Sequence, residues 1–204
     1  MSTSTSPDTL TTLVLVRHGE TEWNLTHRYQ GTTDIPLNET GREQARRVAG
    51  TLGHDDWDAI ISSPLSRAME TARAIAATTG VETIEEDRDL IERAYGEAEG
   101  LTLDEREQTW PGGEWPGLES WDDVATRVMT AIERIAAAHP GQRVLVVCHG
   151  GVINTILAVL SKNELGTGKT VILNTSLTTV TRTEDGWTIG SVNEASHLET
   201  VAAD

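Results

Sequence analysis

Residues 13–16, Leu-Val-Leu-Val, run without a polar interruption into Arg17-His18-Gly19. A strand with one wet face alternates apolar and polar side chains, so an unbroken apolar run marks a strand buried on both faces. Such a strand needs helices above and below its sheet. Two more runs have this character. Ala59-Ile60-Ile61 stops at Ser62-Ser63-Pro64, and Val144-Leu145-Val146-Val147 passes through Cys148 into His149-Gly150-Gly151. In open α/β sheets, ligands sit just beyond the carboxyl ends of the strands, which is where each run turns polar.

Helical patterns separate these strands. Thr40-Gly41-Arg42-Glu43 has the form of a capping box with Thr40 as N-cap. Ala45, Val48, Ala49 and Leu52 then recur on one helical face up to Gly53. A second helix is predicted from Leu65 through Arg67 to Ala76, closed by Gly80. A third starts at Ser120 or Asp122, buries Val124, Val128, Ile132 and Ile135, and stops at Pro140-Gly141. A fourth covers Val152 to Leu160. Val81 to Glu85 reads as a further strand, and Ser176–Thr183 with Trp187–Val192 as a hairpin around Glu184-Asp185-Gly186. Glu22–Pro36, Asp87–Gly100 and most of Leu101–Glu119 read as irregular. Alternating strands and helices predict an α/β fold, a three-layer α/β/α sandwich around a mostly parallel central sheet. The 204 residues suit one domain over 12–198, with tails at 1–11 and 199–204.

Charge narrows the partners. Acids outnumber bases 32 to 16, a net charge of −16, and only Lys162 and Lys169 are lysines. Such a surface repels nucleic acid and anionic membranes, and neither is expected as a partner. It also repels phosphorylated ligands at long range, so a phosphate site here needs local compensation. The single cysteine, Cys148, leaves no internal disulfide and fits a reducing compartment. No stretch reaches the ~18 apolar residues of a membrane span. The N-terminus lacks the basic and apolar regions of a signal peptide, so a soluble cytoplasmic protein is expected.

The compensation is present at the strand ends. Arg17 and His18 close the first strand, Arg67 falls in the first turn of the helix after the second, and His149 with two glycines closes the last. If these strands are neighbours, two arginines and two histidines surround one crevice. Arginine forks match phosphate oxygens, and glycines before a helix N-terminus let backbone N–H groups approach an anion. Each residue alone also has a plainer reading. A histidine at a strand end is more often structural, and Arg67 alone is equally a surface partner of Glu70. The coincidence of position is what favours a site.

These residues resemble the histidine phosphatase superfamily, which contains cofactor-dependent phosphoglycerate mutases and many small phosphatases. The likeness rests on Leu15-Val-Arg-His-Gly-Glu-Thr21, Ser62-Ser-Pro-Leu-Ser-Arg-Ala-Met-Glu-Thr-Ala72, Ile91-Glu-Arg-Ala-Tyr-Gly-Glu-Ala-Glu-Gly100 and Val147-Cys-His-Gly-Gly151. It spans about residues 12 to 198. The resemblance implies that His18 takes up the phosphoryl group. It implies that Arg17, Arg67 and His149 hold the phosphoryl oxygens, and that Glu92 is the general acid and then the base. Asn24, Gln30, Gly31, Arg93, Tyr95 and Gly150 are the expected substrate-binding residues. Cations crowding His18 disfavour its charged form and so favour a neutral nucleophile.

The same resemblance divides between two activities. Glu92-Arg93-Ala94-Tyr95-Gly96 is similar to the mutases, which use this motif to hold a carboxylated substrate. The mutases also carry an arginine pair in a longer insertion, whereas Leu101–Trp121 contains only Arg106. Gln30 stands where mutases usually have Ser or Thr. The expectation is therefore a phosphatase acting on a small phosphomonoester, without metal or cofactor. A mutase and a non-catalytic phosphate-binding module are the alternatives. Arg93 is read either as a substrate ligand or as a salt-bridge partner of Asp89 or Glu97. Trp110, Trp115 and Trp121, with Trp23 and Tyr29, form either an aromatic pocket wall or a small satellite core. Gly166-Thr-Gly-Lys169-Thr170 lacks the first glycine of a phosphate loop, since Asn163 stands there, and follows a helix instead of a strand. His27, His54, His139 and His197 are scattered, so no required metal is expected.

Overall fold

The computed structural model describes residues 10–53 and 57–199. His54 and most of the two expected tails fall outside them. In chain order the elements are β1 (Thr11–Arg17), α1 (Glu22–Leu25), α2 (Glu39–Leu52), β2 (Ala59–Ser62), α3 (Ser66–Thr79) and β3 (Ile84–Glu86). There follow α4 (Leu103–Thr109), α5 (Trp121–Ala138), β4 (Arg143–Cys148), α6 (Gly150–Leu160), β5 (Leu177–Thr183) and β6 (Gly186–Ile189). Short 3-10 turns occupy Arg88–Leu90, Gly96–Ala98 and Ser196–Leu198.

The strands form one sheet in the order β3-β2-β4-β1-β5-β6. β3, β2, β4 and β1 run parallel, and β5 and β6 add an antiparallel hairpin. The unbroken apolar runs are explained by cores on both faces. Leu13 and Leu15 of β1 pack with Val144 and Val146 of β4 against α5 and α6. Val14 and Val16 pack with Leu145 and Val147 against α2 and α3. β4 lies between β1 and β2, with Arg17 opposite Cys148 and Ser62 opposite Val147. The three polar strand ends therefore lie side by side.

Some local expectations are corrected. Asn38, not Thr40, caps α2: its side chain accepts the Gly41 N–H at 2.8 Å, while the Glu43 carboxylate pairs with Arg46 and Arg47. Gly53 stays right-handed. β3 begins at Ile84, later than the predicted Val81, because only residues 84–86 reach β2. The stretch 101–119 contains α4, started by a capping box of Thr102 and Glu105. α1 likewise starts at a Thr21–Asn24 box. Thr11, assigned to the tail, pairs with Arg182 at the start of β1.

Candidate active site

A pocket of about 240 Å³ opens at the carboxyl ends of β1 and β4. Arg17, His18, Arg67, Glu92, Asn24, Gln30, Gly31, Tyr95 and Gly150 line it. These include four of the five expected catalytic residues. The fifth, His149, is wholly buried behind the wall with its ring 5.2 Å from that of His18. The β1–β4 register dictates this: His18 N–H donates to Cys148 O at 3.0 Å, so each histidine directly follows a paired position.

His18 is held in one tautomer. Its Nδ1 lies 2.7 Å from Gly19 O, and a carbonyl only accepts, so Nδ1 carries the proton. Nε2 keeps its lone pair. Burial, then Arg67 and Arg17, push its pKa well below 6.5. The neutral form is therefore the resting form, the form a nucleophilic imidazole requires. Asn174 donates to His18 O at 2.9 Å and fixes the backbone behind it.

His149 is assigned the same tautomer. Its Nε2 lies 2.8 Å from Ser63 Oγ. Leu65 N–H also donates to that oxygen at 3.4 Å, and we assign the Ser63 hydroxyl as the donor to Nε2. Nδ1 of His149 then carries its proton, buried and without a hydrogen-bond partner. Arg17 Nε and Arg67 Nε are also buried and unpartnered. Buried N–H groups without partners are rare and cost roughly 1–3 kcal/mol each. Here three such donors flank one imidazole. Unpartnered donors grouped in this way are able to receive an anion with several oxygens.

The outer nitrogens of these arginines are fastened to the frame. Arg17 donates to Ile172 O, and Arg67 donates to Gly31 O at 2.7 Å and Thr33 O at 3.0 Å. Burial brings Arg67 down to about 10, still fully charged at neutral pH. Asp34 accepts from Ser66 N–H at 2.8 Å and supplies the cap that Leu65 cannot give α3. Glu99 joins the loops by accepting from Thr32, Thr33 and Tyr95 N–H. Burial opposes its ionisation, but these hydrogen bonds outweigh burial and hold the carboxyl below its usual range.

Glu92 faces His18 across the pocket. Its Oε1 accepts from Arg93 N–H at 2.8 Å and its Oε2 from Gly151 N–H at 3.0 Å. A Cβ at position 151 would lie 2.3 Å from Glu92 Oε1, so this carboxylate needs the glycine. Arg93 itself lies outside the pocket lining. Its guanidinium lies over the Trp121 ring at 4.0 Å and its Nε donates to Glu119 O at 2.7 Å. It pairs with neither Asp89 nor Glu97: Arg134 takes Asp89. The tryptophans are also behind the wall. Tyr29 and Tyr95 line the pocket, and Trp115 packs on Tyr29 and donates to Tyr95 O at 2.6 Å. Trp110 and Trp115 thus pack with Tyr29 as a small satellite core, Trp121 lies partly exposed under Arg93, and tyrosines provide the aromatic surface of this pocket.

Arg28, Asn154 and Ile172 also line the pocket and were not expected there. Asn154 did leave a signal, as a polar residue within the apolar Val152–Leu157 of α6. Arg28 and Ile172 left none, because loop closure brings them in. Among the described residues, no cluster of three or more His, Cys, Asp or Glu side chains is placed to hold a metal ion.

The sequence profile of the histidine phosphatase superfamily (branch 1) matches residues 13–195. The chain belongs to this superfamily. It is 39% identical to an uncharacterized phosphatase, PhoE, of Bacillus subtilis, across 93% of this chain and 97% of that one. It is 40% identical to a metal-independent phosphoserine phosphatase of Arabidopsis thaliana, across 94% and 85%. The solved structure of YhfR from Bacillus stearothermophilus superposes with a TM-score of 0.85 at 33% identity, covering 93% of this chain and all of that one. The α/β architecture with its mostly parallel sheet is therefore that of the superfamily.

Proposed function

We propose that the protein hydrolyses small phosphomonoesters through a phosphohistidine at His18. The observation that carries this reading is the set of three unpartnered buried donors, Arg17 Nε, Arg67 Nε and His149 Nδ1, around an imidazole whose Nε2 lone pair is free. In the first step Nε2 of His18 attacks phosphorus in line with the ester oxygen. The P–O bond breaks, and Glu92 delivers a proton to the departing oxygen. The three donors match the three non-bridging oxygens, whose charge they stabilise without reorganisation. In the second step Glu92, now a carboxylate, takes a proton from water as that water attacks phosphorus. The P–N bond breaks and neutral His18 returns with inorganic phosphate. Asn24, Gln30, Gly31, Tyr95 and Gly150 surround the leaving group, and Arg93 supports them from behind Tyr95. No step calls for a metal or a cofactor.

Two features favour hydrolysis over mutase chemistry. Arg93 is committed to Trp121 and Glu119, so it adds no second anion site inside the pocket. The pocket is small, and its mouth is open to water. The names of the two phosphatase relatives agree with this reading. Rapid acid-free quenching with a labelled aryl phosphate tests it. A base-stable, acid-labile label on the protein is expected, absent in His18→Ala, with turnover reduced at least ~10³-fold, the scale on which removing a catalytic nucleophile acts. Unlabelled protein during steady turnover, or full activity in His18→Ala, refutes the covalent mechanism.

A further inference from the structure

A second cavity, of about 440 Å³, adjoins the candidate active site and has not been used above. It lies between the start of α5, the middle of α6 and the loop after α6. Asn154 lines both cavities. Arg93 closes the wall between them on another side, with its guanidinium 5.5 Å from the Tyr95 ring of the first cavity and 4.0 Å from the Trp121 ring of the second. Asn154 Oδ1 is buried there without a hydrogen-bond partner.

The lining of this cavity runs against the rest of the molecule. Acids outnumber bases two to one in the chain, yet here two lysines face one acid, Asp122. They are Lys162 and Lys169, the only lysines in the sequence. Lys169 donates to Asn163 O, and Lys162 forms no ion pair among the described residues. Between the lysines and Asn154 the surface is apolar, with Trp121, Ala158 and Leu165. Taken together, the two cavities present a phosphoryl receptor, a shared unpartnered acceptor at Asn154, an apolar stretch and a cationic end.

We propose that the two cavities form one bipartite site, in which the second holds the far end of a phosphomonoester whose leaving group bears an aliphatic or ring spacer and a terminal carboxylate. The proposal rests on the hydrolase reading above and adds the substrate class. Trp121 and Leu165 cover the spacer, and Lys162 and Lys169 meet the carboxylate. Asn154 Oδ1 accepts from a hydroxyl or ammonium group at the waist.

The test compares alkyl phosphates of increasing chain length with their ω-carboxylate counterparts, using the full chain. One length of carboxylate ester is expected to show a KM about fivefold below that of its alkyl partner, the scale of two partly screened ion pairs. In Lys162→Asn with Lys169→Gln that preference disappears, while kcat and KM for the alkyl phosphates stay unchanged. Asn suits the left-handed backbone at position 162, where φ is 53°. Equal KM values at every length in the unmodified protein overturn the proposal, as does a preference that survives the double substitution. Should neither series turn over, the hydrolase reading fails by itself. Calorimetric binding of the matching phosphonates, with and without the carboxylate, then decides the second cavity on the same criteria.

Discussion

His18 and His149 are both neutral at rest, and both are so chiefly because they are buried. Arg67 is the next cause for each, with Arg17 adding to it. The consequence for stability has a definite sign. In the unfolded chain each histidine takes up a proton as pH falls through about 6.5, whereas in the folded protein neither does so until well below that. Below 6.5 the unfolded state therefore binds more protons, and stability falls with pH. For the two residues the loss should reach about 2–3 kcal/mol between about pH 7.5 and 5.5, before most carboxylates titrate. Urea midpoints across this range measure it. His18→Asn and His149→Gln should each remove about half of the slope. A midpoint that is flat in the unmodified protein, or a slope unchanged in both variants, refutes the assignment. Long-range ¹H–¹⁵N spectra read the tautomers over the same range, with Nδ1 protonated in both rings. Arg17, His18 and Arg67 were legible because each occupies a strand end or a helix start. Ser63 was legible only as part of a motif. Its task of setting the His149 tautomer depends on the β2–β4 register, which no local pattern encodes.

The elements that place Glu92 were the least legible. It sits in an irregular stretch with no periodicity, and its position is set by Gly151 N–H in the first turn of α6 and by the loops that Glu99 ties together. The Gly151–Glu92 and Thr32–Glu99 bonds join residues about sixty positions apart, so the sequence shows the glycine and the glutamate but not their contact. The contact makes a prediction. Gly151→Ala puts a methyl where Glu92 Oε1 lies, and the carboxylate must move. The helix itself tolerates alanine well. Turnover of alkyl phosphates, whose leaving oxygen needs a proton, should fall about 10²-fold or more. Turnover of an ester with an acidic leaving group, such as a dinitrophenyl phosphate, should fall far less. Equal losses on both substrates would mean that Gly151 serves folding or binding and not the placement of an acid. By contrast, the helices and strands themselves read well where one face is apolar. The errors fell at ends, such as the α2 cap, where a single side-chain hydrogen bond decides, and at α1 and α4, which bury no residue and so show no apolar face.

The whole molecule presents its ligand with two opposed fields. The surface carries most of a net charge of −16, while the pocket concentrates Arg17, Arg67 and Arg28 within about 240 Å³. The two fields differ in range. Surface repulsion acts through solvent and is screened as the Debye length shrinks from ~30 Å at 0.01 M salt to ~8 Å at 0.15 M. The receptor acts at contact, from buried groups that salt screens much less. Raising ionic strength across this range should therefore increase kcat/KM for a dianionic phosphomonoester, by a factor of about two or more, with little change in kcat. This is opposite to the salt dependence of an enzyme that steers anions with a cationic surface. Chloride competing at the receptor lowers kcat/KM instead, so the comparison should be repeated with a bulky anion at matched ionic strength. A decrease with both salts would show that the acidic surface is too distant from the mouth to matter, and that the arginines alone govern encounter.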